Sequence, residues 1–139
     1  MKNDCIFCAI AAGEIPCFKI YEDENAIAFL DINPASRGHV LVVPKEHCRN
    51  LLDAPGALLA QLVPVVQKVA AHLKNALPCD GFNILQNNGE AAGQTVHHLH
   101  FHIVPRYAGQ NAGIDFTPRK ADMDELKTLA ARIDMRNGD

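Results

Sequence analysis

His98, His100 and His102 alternate with Leu99, Phe101 and Ile103, and Val104 follows. On a β-strand successive side chains point to opposite faces. The alternation predicts a row of three imidazoles on one face and an apolar face packed on a core. Neighbouring histidines would stand roughly 7 Å apart along the strand. Imidazole titrates near neutral pH, attacks electrophiles when neutral and binds metals. His100 has a histidine on either side, so one ring can attack while its neighbours hold a substrate. A lone histidine is ordinarily a wet-face or core residue; three in strict alternation within an apolar run point to a built site. Convergence of all three on one ion is awkward at that spacing.

A second reactive group lies near the N-terminus, Cys5-Ile6-Phe7-Cys8. That spacing is half of a zinc site or a redox pair. A thioredoxin-like reading needs the pair between the strand and helix of a βαβ unit, and no such pattern surrounds it. A closed tetrahedral zinc site needs two further ligands. The chain holds five cysteines without an apolar leader, which read as thiols or ligands rather than a disulfide framework. Cys17, Cys48 and Cys79 read as small buried hydrophobes, and His72 and His97 as incidental.

The elements that must position these groups are legible in outline. Residues 5–12 read as a helical turn ended by Gly13, and 18–22 with 26–31 as a strand pair about a polar turn. Residues 39–43 form a β-branched strand stopped by Pro44. A long helix is predicted over 51–77, capped by Asp53, with Pro55 in its first turn and a kink or break at Pro64. Strands follow at 81–86 and 96–104 around a loop at 87–93. A Gly-containing loop over 107–118 leads to a closing helix over 122–135, capped by Asp122, with Leu126, Leu129, Ala130 and Ile133 on one face. One long helix among closely connected strands predicts an α+β fold, an antiparallel sheet of about five strands with helices on one face.

The 139 residues, 48% hydrophobic and 21% charged, suit one globular domain. A net charge of −3 argues against broad binding to nucleic acid. No apolar run reaches the 18 or so residues of a membrane span. No secretory leader is evident, so a cytoplasmic location is expected.

At its histidine strand the chain resembles the histidine triad (HIT) family of nucleotide hydrolases and transferases, whose signature is His-x-His-x-His followed by two apolar residues. Asn87-Asn88-Gly89-Glu90-Ala91-Ala92-Gly93-Gln94-Thr95-Val96, Gly38-His39-Val40-Leu41-Val42-Val43-Pro44-Lys45, Phe29-Leu30-Asp31-Ile32 and Cys5-Ile6-Phe7-Cys8 extend the likeness. It covers about residues 4–107, within a single HIT domain over 1–139 whose last part, 108–139, is a loop and helix.

The resemblance implies a five-stranded HIT-like sheet, usually in a homodimer, and a purine nucleotide as the small-molecule partner. His100 would attack the α-phosphate and carry a covalent nucleotidyl intermediate. His102 would contact the phosphate and help protonate the leaving group, and His39 would join a histidine relay. Asp31 would take the ribose hydroxyls, and Ile32, Phe7 and Phe29 would sandwich the purine. Asn87, Gly93, Gln94 and Thr95 would line the phosphate and leaving-group region. A subset of bacterial relatives joins the cysteine pair to two histidines, which implies a structural zinc on Cys5, Cys8, His47 and His98, and no organic cofactor.

The expected activity is hydrolysis of purine nucleoside phosphoramidates, as in the Hint-like branch, which Asn87 and the cysteine pair favour. Dinucleoside polyphosphate hydrolysis is the alternative, since Ala92–Val96 and Pro105–Gly109 resemble the fragile-histidine-triad branch. A third possibility is a nucleotide-binding adaptor with vestigial hydrolysis. A nucleotidyltransferase would replace the third histidine with glutamine, whereas this chain keeps His102.

Overall fold

The computed structural model describes residues 4–110 and 118–137. Five strands form one antiparallel sheet in the order β1-β2-β3-β5-β4. They are β1 (Lys19–Glu22), β2 (Ala26–Leu30), β3 (Val40–Pro44), β4 (Gly81–Leu85) and β5 (Phe101–Arg106). The helices are α1 (Ile6–Ala11), α2 (Gly56–Ala76) and α3 (Met123–Ile133). The α+β class and the five-stranded antiparallel sheet match the expectation.

The central strands are buried on both faces, and their alternation sorts the core into two layers. Ala26, Ala28, Val40, Val42, Leu99 and Ile103 meet Leu62, Val65, Val66, Val69, Ala70 and Leu73 of α2. That helical set recurs at three- and four-residue steps, the period of one helix face. The odd-numbered residues Ile27, Phe29, Leu41 and Val43 meet Phe7 and Ile10 of α1. Helices therefore lie on both faces, not one. The turn carrying the cysteine pair covers the second face because β2 and β3 are apolar at consecutive positions.

α2 starts at Gly56, later than expected, and has no side-chain cap. Asp53 instead accepts the backbone N–H groups of Arg49 and Asn50, closing the preceding turn. Pro64 does not split the helix, which runs unbroken from Gly56 to Ala76. It lies on the solvent-facing side, where water can take up the carbonyl it leaves unpaired. At 21 residues and mean hydropathy 1.3, α2 is long and apolar enough to cross a membrane by composition. Its buried stripe packs on the sheet, which accounts for that apolarity.

β5 begins at Phe101, so His98 and His100 precede the strand. The alternation survives: Leu99 and Ile103 are in the α2 core with Phe101 packed against it, while the rings of His98 and His100 meet Phe7 on the other face. Asp122 caps α3 as expected, accepting from Asp124 and Glu125 N–H. No residue of α3 is buried. The expected loop over 107–118 lies partly outside the described residues.

Candidate functional site

A cavity of about 450 Å³ opens on the α1 face of the sheet. Phe7, Phe29, Leu41 and Ile32 supply apolar lining; Asp31, Thr95, His100 and His102 supply the polar groups. Ile32 is 78% exposed, a rim residue rather than core. The rings of His100 and His102 lie 4.9 Å apart, closer than the roughly 7 Å of strand rise, because side chains two residues apart can lean together. Phe7 stands edge-on to His100 at 5.1 Å. His39 immediately precedes β3, and Leu41 pairs with His102 across the sheet, which brings His39 to the triad.

Backbone groups that can only donate or only accept fix where each imidazole carries its proton. The N–H of Ala35 donates to His39 Nδ1 at 3.0 Å, so the His39 proton sits on Nε2. That nitrogen lies 3.0 Å from His102 Nδ1 and donates to it, leaving the His102 proton on Nε2. His100 Nδ1–H donates to the His98 carbonyl at 2.7 Å, which leaves a lone pair on His100 Nε2. The site therefore sets a nucleophilic nitrogen on one ring beside an N–H on the next.

Burial keeps these rings neutral. It pushes His100 below the ordinary imidazole range, and His102 down to about 4, with His100 and His39 adding to the effect. His39 is also lowered by burial, against the pull of Asp31, whose Oδ2 lies 3.6 Å from His39 Nε2. Asp31, His39 and His102 could also be read as a metal-ligand cluster. The proton on His39 Nε2 occupies the position a ligand lone pair would need, so this group is a hydrogen-bonded relay.

A second cluster does suit a metal. One ligand atom each from Cys5, Cys8, His47 and His98 lies within 4.8 Å of the others. His98 Nδ1 is 3.2 Å from Cys5 Sγ, 3.6 Å from Cys8 Sγ and 3.1 Å from His47 Nδ1, and Cys8 Sγ is 3.4 Å from His47 Nδ1. A tetrahedral ion bound at roughly 2.0–2.3 Å holds its ligands roughly 3.3–3.8 Å apart, so the donor set fits. His98 is fully buried, and its Nε2–H donates to the Pro44 carbonyl at 2.8 Å. That bond turns the lone pair of Nδ1 toward the thiols, the outer-shell arrangement of metal-bound histidines.

The HIT domain family matches residues 12–109. The chain belongs to the HIT family. A crystal structure of SMU.412c from Streptococcus mutans UA159 superposes at TM-score 0.92 and 47% identity, over 99% of this chain and 87% of that one. A zinc-bound histidine triad family protein from Mycobacterium smegmatis superposes at TM-score 0.74 and 42% identity, over 96% and 97%. An adenosine 5'-monophosphoramidase of Candida albicans is 40% identical over 134 residues, 93% of this chain and 88% of the relative.

In this HIT protein the remaining expected residues fall into two groups. Thr95 lines the cavity. Asn87 lies two residues beyond Leu85, the partner of His102, and a side chain on Gly93 would meet its Nδ2 at 3.5 Å. Gly93, at φ +96°, makes the turn out of a short 3-10 segment, Glu90–Ala92. Gln94 is placed differently from a substrate donor. It is 2% exposed; its amide donates to the carbonyls of Arg49 and Val96 and its oxygen accepts from Gly89 N–H. Both donor contacts of that amide hold the loop that leads into the histidine motif.

Cys17 and Phe18 also line the cavity. In sequence Cys17 reads as a small buried hydrophobe, whereas it is only half-buried, and Phe18 reads as the start of a strand. Neither has a local signal for this role, because the pairing of β1 with β2 and the position of α1 bring them to the rim.

Proposed function

We propose that this HIT protein is a nucleotide hydrolase acting at the α-phosphate of purine nucleoside phosphoramidates. The observation that carries the proposal is the paired proton arrangement, a lone pair on His100 Nε2 beside an N–H on His102 in a cavity that also holds Asp31. His100 Nε2 attacks phosphorus, the bond from phosphorus to the leaving nitrogen breaks, and the nucleotide remains on His100. The leaving nitrogen acquires its proton through His102, and the water that hydrolyses the intermediate restores it. The His98 carbonyl steadies the positive charge that develops on the His100 ring. The purine enters between the apolar walls, Asp31 accepts from the ribose hydroxyls, and Thr95 and Asn87 border the phosphate. The monophosphoramidase activity in the name of the Candida albicans relative supports this substrate class.

Zinc is the metal proposed for Cys5, Cys8, His47 and His98, a two-thiolate, two-imidazole set that suits a closed structural site. The zinc-bound Mycobacterium smegmatis relative supports that identity. A homodimer is proposed through β4, one of the two edge strands of the sheet. Phe82 and Ile84 are exposed there and join Val63 and Ala70 of α2 around an apolar groove, a surface that an unpaired edge tends to cover.

The test is AMP release from adenosine phosphoramidate and from a diadenosine polyphosphate, measured side by side, with His100→Ala as control. Faster release from the phosphoramidate, abolished by the substitution, is expected. Preference for the dinucleotide would overturn the substrate class. Binding of AMP without release from either compound would favour an adaptor.

A further inference from the structure

α1 takes part in two sites at once. Cys5 caps its N-terminus, its Sγ accepting the Cys8 N–H, and Cys8 sits in its first turn. The same turn sends Ile6, Phe7 and Ile10 into the lining of the nucleotide cavity. A helix of 6 residues has no stability of its own in water, and α1 stands outside the sheet's hydrogen-bond ladder. Two things hold it: apolar packing against β2 and β3, and the thiols of Cys5 and Cys8 set against His98 and His47. Phe7 links the sites from within, its ring 5.9 Å from His98, 5.1 Å from His100 and 5.7 Å from Phe29.

His98 makes the same connection from the sheet side. Its Nδ1 belongs to the thiol cluster, while its carbonyl holds the Nδ1–H of His100. Movement of the imidazole out of the cluster would carry the carbonyl with it and turn the nucleophilic ring.

We infer that Cys5, Cys8 and His98 are positioning residues for the nucleotide site, so that metal in the four-ligand cluster and nucleotide in the cavity strengthen each other's binding. The inference rests on the nucleotide and metal readings above and adds a coupling between them. The metal fixes the α1 wall and the carbonyl that aims His100. By thermodynamic reciprocity a nucleotide that needs those two features must tighten the metal by the same factor.

The experiment measures both halves of that cycle on the full chain. AMP affinity is determined by calorimetry with zinc bound and after chelation, with circular dichroism showing that the metal-free chain stays folded. Zinc affinity is determined by competition with a chromophoric chelator, with and without AMP, a measurement that does not depend on the metal-free state being stable. The expected coupling is about fivefold or more in each direction. Phe7→Leu keeps all four ligands and should retain zinc, while reducing the coupling to the share carried by the His98 carbonyl. Equal AMP affinity with and without zinc overturns the inference, as does full coupling in Phe7→Leu. A chain that binds AMP but no zinc removes the metal reading and the coupling together. One that binds zinc but no AMP removes the nucleotide reading instead, again taking the coupling with it.

Discussion

The carbonyl of His98 accepts the Nδ1–H of His100 at 2.7 Å, while the imidazole of the same His98 faces two thiols. One residue thus orients the proposed nucleophile with its backbone and meets the N-terminal turn with its side chain. Two histidines of one motif have different duties, and the difference comes from which backbone group each ring meets.

Loss of the nucleophile should be far more damaging than loss of the relay. His100→Ala is expected to reduce kcat by about 10³-fold or more. His39→Ala leaves His102 Nδ1 without the donor that sets its tautomer, and a loss of about a hundredfold is expected. Steady-state kinetics on adenosine phosphoramidate would compare them. A His39 effect as large as that of His100 would contradict the division of roles.

Acid should destabilise the protein in a defined window. His102 has its pKa pushed from 6.5 down to about 4, chiefly by burial. Its folded form prefers the neutral ring, so the unfolded chain binds the proton first as pH falls. The associated stability is complete above pH 6.5 and is lost on descending towards pH 4. The melting temperature is expected to fall by about 4 °C or more between pH 7 and pH 5 in the wild type, and by less in His102→Asn. An equal fall in both would rule out His102 as a source.

Gly38 should tolerate no side chain. Its φ is +91°, and a Cβ there would strike Leu77 Cδ1 and approach Pro105 Cγ at 3.3 Å. The loop it closes presents the Ala35 N–H that fixes His39. Gly38→Ala should cost about 1–3 kcal/mol of stability and lower kcat through the relay. Urea unfolding and kinetics on the same sample would show both effects, and an unchanged midpoint would refute the close approach.

Gln94 should report on the wall rather than on substrate contact. Gln94→Ala leaves the Gly89 N–H and the carbonyls of Arg49 and Val96 without their partner. Roughly 1–3 kcal/mol of destabilisation is expected, visible as a lower urea midpoint. A loss of substrate affinity at unchanged stability would restore Gln94 to the role of a direct donor.

The chemistry-bearing residues and most element types were readable one segment at a time. Strict alternation in residues 98–104 separates a histidine face from an apolar face, and that separation holds even though β5 begins at Phe101. A long, apolar, helix-forming run exposed α2, and Asp122 announced its own helix cap. Local signals misled where a neighbour in space took over. Asp53 closes a turn made by Arg49 and Asn50 instead of capping α2, and no local signal shows that Gln94 also bonds Gly89, Arg49 and Val96. A donor near a motif looks the same in sequence whether it serves substrate or backbone.

The sequence by itself determined which side chains can react, which face of the histidine strand is apolar, and that two cysteines stand one helical turn apart. Only the tertiary structure decided which nitrogen of each histidine carries the proton. That depends on the N–H of Ala35 and the carbonyls of Pro44 and His98, and backbone groups have no side-chain identity to read. Tertiary packing also set α1 against the sheet face opposite α2, so that one short turn meets thiol cluster and cavity together. Such a meeting joins residues far apart along the chain, through contacts that exist only once the sheet has closed.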